Sequence, residues 1–271
     1  MLFAKKKCSK CESNYDIVED TCPVCGAHNE EFELRRVPKH HVWLPIYKQL
    51  IIFALGIIVL NIISEIFYFA WGRNIGTTNV DYVTVVNVVR YLTVAALIAV
   101  TLIGSFKKFR KSFTDWLPYV VGFFAGFLLI GFNIFYNNLI NLFYESTTNE
   151  NQALANSMVT TYPLLSILIL GFVGPAVEEF TYRVGLFSFL SRLHKAAAYT
   201  ITIAIFAFIH FDFAATGDAL VNEWIHLPLY AVSGAALCVL YDFMGLSSSI
   251  TAHIVNNLIA ILPTLLLKSV Q

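Results

Sequence analysis

The chain divides by its pattern of apolar and polar positions. Residues 1–30 are polar, and residues 31–45 (EFELRRVPKHHVWLP) read as a charged linker with an aromatic, proline-containing end. After them, seven apolar segments alternate with short polar breaks, near 46–71, 81–104, 116–144, 161–190, 196–216, 223–244 and 247–268. A helix needs ~20 predominantly apolar residues to cross a bilayer core, so each segment is read as a spanning helix. The fourth is long for one crossing and is expected to be tilted, or broken near Gly171-Phe172-Val173-Gly174-Pro175. The pattern predicts an all-α polytopic membrane protein with about seven transmembrane helices and a small head, and it contains no internal repeat. Eight spans, or one re-entrant segment, would move the C-terminus to the other side.

Composition supports this division. Of the 271 residues, 57% are hydrophobic and 13% charged, whereas soluble domains carry about 25% charged residues. The formal net charge is zero, so overall electrostatics give a nucleic-acid partner no support. No apolar signal-peptide core precedes Pro45, and insertion is expected to use the first spanning helix. Positive charge sets the expected orientation. Lys5, Lys6, Lys7, Lys10, Arg35, Arg36, Lys39 and Lys48 lie in or beside the head and linker. Lys107, Lys108, Arg110 and Lys111 occupy the 105–115 loop, and Arg192 and Lys195 the 191–195 turn. The alternate loops hold little beyond Arg73 before Lys268, and carry Asp81, Glu145, Glu150 and Asp218. The expected location is a multi-pass cell-membrane protein with its N-terminus in the cytoplasm.

Four of the five cysteines form two C-x-x-C knuckles, Cys8/Cys11 and Cys22/Cys25. Each knuckle aims two sulfurs at one point, and four thiolates complete a closed tetrahedral zinc site. A head this small has no core of its own, so metal binding has to supply its folding energy. A pair of disulfides is the competing reading, disfavoured in a reducing cytoplasm. The expectation is a structural zinc ribbon that docks a protein partner or regulates, since four thiolates leave no position open for substrate. Cys238, alone in an apolar segment, reads as a small core hydrophobe.

Polar groups at membrane depth are costly and mark candidate chemistry. Glu178 and Glu179 are followed by Arg183, four residues after Glu179 on the same helical face, where the two can pair. Glu178 lies about 100° round the helix from Glu179, free to handle protons as general base or acid. His210 ends the run FAFIH, and His253 and Asn257 share a face of the last segment. Taken singly, each has a bland reading: an ion pair between helices, an interfacial histidine, a modest interhelical hydrogen bond. Taken together, carboxylates, histidines and an amide on three helices can activate water and steady an oxyanion. The asparagines at 133, 137 and 141 form a stripe, read as interhelical hydrogen bonding with cavity lining as the alternative. Asn61 pairs with Glu65, and Arg90 is a candidate partner for Glu65.

EExxxR, FxxxH and HxxxN, in that order on late apolar segments, resemble the CPBP family. That family comprises the CAAX prenyl endopeptidases and the bacteriocin-processing and self-immunity (Abi) proteins of bacteria. The resemblance spans roughly residues 115–268, within a transmembrane domain of 46–271, and LYDFMGLSSSITAHIVNNLI is its most family-like stretch. It implies an intramembrane endopeptidase acting on a peptide or membrane-protein substrate, surrounded by membrane lipid. By the resemblance, Glu178 and His210 activate water, His253 and Asn257 stabilise the oxyanion, and Glu179 with Arg183 completes the first motif. A catalytic divalent metal at His210 and His253 and a metal-free, glutamate-activated water both remain open. No HExxH occurs, which excludes a zincin-type site. The ribbon departs from the eukaryotic prenyl-protein proteases and favours a bacterial role in peptide maturation or self-immunity. A catalytically silent scaffold binding a membrane partner, and a secondary transporter, are the rival classes. The transporter would normally show repeat symmetry.

Overall fold

In a computed structural model, residues 5–16, 19, 21–29, 43–144 and 149–269 are described. The expected linker up to residue 42, with Arg35, Arg36, Lys39, His40 and His41, and the loop residue Glu145, lie outside them. The head folds as β1 (Lys5–Lys7) antiparallel to β2 (Asn14–Asp16), with Lys6 opposite Tyr15. Two three-residue strands cannot hold themselves together. Tyr15 instead packs on Cys8 and Cys22, so the sulfur cluster is the core of the head.

Nine helices follow among the described residues: α1 (Ile46–Ile75), α2 (Val80–Thr101), α3 (Phe106–Thr114), α4 (Leu117–Asn141), α5 (Glu150–Thr161), α6 (Pro163–Leu193), α7 (Lys195–Phe208), α8 (Asp218–Met244) and α9 (Leu246–Ser269). Six of them, α1, α2, α4, α6, α8 and α9, are long and apolar enough to cross a membrane. The fold is thus all-α and polytopic, as expected, with one correction. The segment expected to span at 196–216 stops being helical at Phe208, and its helix has only 14 residues. At 1.5 Å per residue that is about 21 Å, against a hydrocarbon core of ~30 Å. The break has a local cause. The Asp212 carboxylate accepts from the Ala214 N–H at 2.8 Å, an Asx-type turn that competes with the helix. Gly217 then takes φ +58° ahead of α8.

Helix α6 is the central element: 44% of its apolar stretch is buried, against 11–28% in the other five spans. It is continuous through Gly171–Pro175 rather than broken there. Wide π-type turns at Ile167–Val173 and Phe180–Phe187 flank an α-helical Gly174–Glu179. Helices α4 and α9 run in the same direction and nearly touch. A Cβ on Gly122 would sit 2.3 Å from the Ser248 carbonyl oxygen, and one on Gly126 2.7 Å from the Val255 side chain. Small residues at such a seam let backbones approach where lipid offers no hydrophobic drive. Cys238 is fully buried in the main apolar cluster, beside Val184, Phe187 and Tyr241.

Basic groups gather at one end of the bundle. Lys48 Nζ donates to the Ile103 carbonyl at 2.8 Å, and Arg192 donates to the Leu44 carbonyl at 2.8 Å. Lys108 reaches the head itself, with Nζ 2.8 Å from both Glu19 carboxylate oxygens. Lys195 pairs with Asp242. Arg90 does not take the partner expected for it: it donates to Asn87 Oδ1 at 2.7 Å, and no ion pair joins it to Glu65 among the described residues. One helical turn on its own face is an easier reach than the neighbouring helix.

Candidate active site

The site grows out of α6. In the first π-type turn the Gly174 N–H bonds back to the Ile169 carbonyl. The next donor in that register for the Leu170 carbonyl would come from Pro175, which has none. Asn257 fills the gap, with Nδ2 donating to the Leu170 carbonyl at 3.1 Å. One amide hydrogen of Asn257 therefore ties α9 to α6 and the other stays available. Its Oδ1 accepts from Asn256 at 3.2 Å. The second π-type turn wedges against α1, where a Cβ on Gly56 would lie 1.9 Å from the Thr181 hydroxyl oxygen.

Two adjacent carboxylates thus have opposite surroundings. Glu179 and Arg183 are completely buried, with Oε2 3.3 Å from Nε. The contact is an ion pair without hydrogen-bond alignment. The Arg183 guanidinium also lies over the Phe206 ring at 4.6 Å from its centroid, a cation–π contact. The other Glu179 oxygen, Oε1, is 2.9 Å from His253 Nδ1. Glu178 instead faces a cavity of about 760 Å³ that His210, His253 and Asn257 also line. Its Oε1 accepts from the Tyr91 hydroxyl at 2.9 Å, and its Oε2 is 3.8 Å from His253 Nε2.

The histidine tautomers follow from their partners. His210 Nδ1 is 2.8 Å from the Phe206 carbonyl, which can only accept, so Nδ1 carries the proton and Nε2 keeps its lone pair. The ring stacks on Tyr230, with centroids 4.4 Å apart and planes 11° apart. His253 Nδ1 donates to Glu179, which turns Nε2 towards Glu178 and the cavity. Both rings flank Phe206, at 5.2 Å and 5.9 Å between centroids. The two histidines, from separate helices, therefore line one cavity.

Of the six residues singled out, Glu178, His210, His253 and Asn257 line the cavity, while Glu179 and Arg183 stand behind them and orient His253. Tyr91 and Tyr230 belong to the same constellation and carried no sequence signal, because an aromatic in an apolar helix reads as core. The asparagine stripe follows the reading held second, with Asn133, Asn137 and Asn141 all on the cavity wall.

In the head, the thiol sulfurs of Cys8, Cys11, Cys22 and Cys25 lie within 4.8 Å of one another. Among the described residues they are the one group of three or more potential ligands that converges this closely; Glu178, His210 and His253 are more widely spaced. The Ser13 hydroxyl, 3.2 Å from Cys22 Sγ, pulls that thiol down to about 6, outweighing its burial. Cys25 accepts from the Ala27 N–H, which favours the thiolate, yet the neighbouring Cys11 thiol and burial push it up to about 12. Four crowded thiols, one of them readily ionised, are compatible with a bound metal ion.

Comparison with known proteins fits this constellation. The chain is 25% identical over 152 residues to UPF0177 protein YvdC of Lactococcus lactis subsp. lactis (strain IL1403). The match covers 56% of this chain and 54% of that protein, so it spans about half of each. No solved structure matches. Residues 160–259, which hold all six motif residues, match the family described as type II CAAX prenyl endopeptidase Rce1-like, and the protein is a multi-pass membrane protein with that resemblance.

Proposed function

We propose that the protein is an intramembrane endopeptidase of the CPBP type, cleaving a peptide or membrane-protein segment with a glutamate-activated water. The observation that carries this reading is the division of labour between the two carboxylates. Arg183 neutralises Glu179, and Glu178 faces the cavity with its Oε1 anchored by Tyr91. Oε2 is left to take a proton from a water held with His210 Nε2. The hydroxide formed attacks the peptide carbonyl carbon. The free amide hydrogen of Asn257 and the Nε2–H of His253, present when the ring is the imidazolium paired with Glu179, steady the oxyanion, a role worth a few kcal/mol when donors are pre-aligned. Collapse of the intermediate breaks the C–N bond, and the proton held by Glu178 passes to the leaving amine. In this reading Glu178 and His210 activate the water directly, and a divalent ion held by His210 and His253 is the alternative that metal analysis of the purified protein decides.

The ribbon, residues 1–30, holds a structural zinc and docks a protein partner; residues 31–45 link it to the transmembrane domain, whose protease core is 115–268. The basic end of the bundle and the head face the cytoplasm of a cell membrane. Peptide or bacteriocin maturation, or self-immunity, is the setting this fits. The test is Glu178→Ala in nanodiscs with a mixture of quenched peptides: a protease loses all turnover, whereas unchanged turnover, or a cellular role that survives the substitution, returns the protein to the class of silent scaffolds.

A further inference from the structure

The cavity has one wall built from carboxamides. Asn133, Asn137 and Asn141 stand on successive turns of α4, and Gln152 and Asn156 face the cavity from α5. Asn133 Oδ1 and Asn256 Oδ1 are buried without a hydrogen-bond partner. An unsatisfied buried acceptor costs roughly 1–3 kcal/mol, so this wall gains from a ligand that brings N–H groups. A carboxamide offers both donors and an acceptor and carries no charge, which makes it the cheapest full match to a peptide group at membrane depth.

Spacing narrows the ligand further. Four residues of helix rise about 6 Å, and peptide groups on one edge of an extended strand repeat at about 6.8 Å. Three rungs from Asn133 to Asn141 therefore match roughly four residues of an extended chain laid along α4. The α4–α9 seam gives the depth: Gly122 meets Ser248 and Thr251, and Gly126 meets Ala252 and Val255. His253 thus lies near the level of Gly126, and the ladder starts about 10 Å further along α4, away from the basic end. A prenyl chain is a poor fit to this wall. Hydrocarbon against carboxamides would desolvate them and return no hydrogen bond.

We propose that Asn133, Asn137 and Asn141 form a ladder that binds the main chain of an extended, unprenylated peptide beside Glu178. This rests on the protease reading and specifies its substrate. The ladder residues are specificity determinants; they take no part in the bond-breaking step.

The experiment uses the full chain in nanodiscs. The probes are a mixture of quenched unprenylated peptides, and a CAAX peptide offered farnesylated and with its cysteine free. Unprenylated peptides are cut, farnesylation brings no gain, and Asn133→Leu and Asn137→Leu each raise KM by about tenfold at nearly unchanged kcat and Tm, as loss of one or two hydrogen bonds implies. Asn137→Gln recovers part of the loss, which a packing role would not allow. A farnesylated peptide cut tenfold better than its free partner, or leucine variants with wild-type KM, would overturn the ladder and leave the protease reading standing. If wild type cuts neither kind, or Glu178→Ala cuts as well as wild type, the protease reading fails and the ladder with it.

Discussion

Glu179→Gln is the sharpest perturbation of the ion pair behind the site, because it keeps the shape, removes the charge and leaves one acceptor where two donors, Arg183 and His253, had one each. Glu179 and Arg183 are both fully buried, so the substitution leaves a guanidinium without a counter-charge, its neighbours reduced to neutral groups: the new amide, the Phe206 face, the Cys238 thiol and the Gly234 carbonyl at 3.4 Å. Breaking a buried pair from one side costs about 3–5 kcal/mol, mostly the penalty of the stranded charge. In a chain of this size 1 kcal/mol moves Tm by roughly 2–4 °C, so Tm should fall by on the order of 10 °C. Removing both charges together strands nothing. The double substitution Glu179→Met with Arg183→Met should recover most of the lost Tm. It should not recover turnover, since His253 Nδ1 then has no carboxylate to hold its ring. The assay is thermal unfolding in detergent for wild type, each single variant and the double, with peptide turnover measured alongside. A Glu179→Gln protein melting within 2 °C of wild type would refute the reasoning, because it would mean water or another group already satisfies Arg183.

Other outcomes follow from the same geometry. Tyr91→Phe removes the donor to Glu178 Oε1 and the hydroxyl's contact with Arg90 while keeping the ring, so kcat should drop roughly 10- to 100-fold, the worth of a hydrogen bond to a charged group, with little change in Tm; undiminished kcat would remove Tyr91 from the site. Gly122→Ala drives a methyl against the Ser248 backbone oxygen, which cannot rotate away, and should cost about 1–3 kcal/mol; an unchanged melting curve would mean the α4–α9 seam is looser than drawn. Stripping metal with a strong chelator should release one zinc per chain and expose all four head thiols to alkylation, while α-helical circular dichroism of the bundle persists. Protection of the thiols after chelation, or loss of the bundle signal, would count against a structural metal confined to the head.

The long apolar helices were legible from the sequence because the bilayer demands a length that composition alone reveals. The half-length α7 was not, since FAFIHFDFAA is as apolar as a span and only the Asp212 turn ends it. The pairing of Glu179 with Arg183 could be read from a four-residue spacing. The contact of Asn257 with the Leu170 carbonyl could not, because it depends on Pro175 failing to donate within a π-type turn. Tyr91 shows the same limit: its partner is 87 residues away on another helix, and nothing in its neighbours VVRYLTV distinguishes it from a packing aromatic. The asparagine stripe lay between these cases, since its period was plain but which helix or cavity it faced was set by packing.

The short α7 bears on how water would reach the site under the proposed hydrolysis. Residues along α7 and α8 pair in antiparallel order: Tyr199 bonds Asp242, Phe206 abuts Gly234 and His210 stacks on Tyr230. Tyr230 is twelve residues into α8, so the turn after α7 lies about 18 Å below the Asp218 end of its neighbour. Non-helical backbone climbing from that depth at His210 to Gly217 at the start of α8 persists only where protein or water can satisfy it. The Glu223 carboxylate takes the Asp212 N–H at 3.2 Å, the Asp212 side chain and carbonyl take the Ala214 and Ala215 N–H groups, and groups left over have to turn to solvent. A helix that ends early thus places polar, non-helical backbone beside His210, and for the proposed hydrolysis this is the side from which water reaches the cavity with least contact with hydrocarbon.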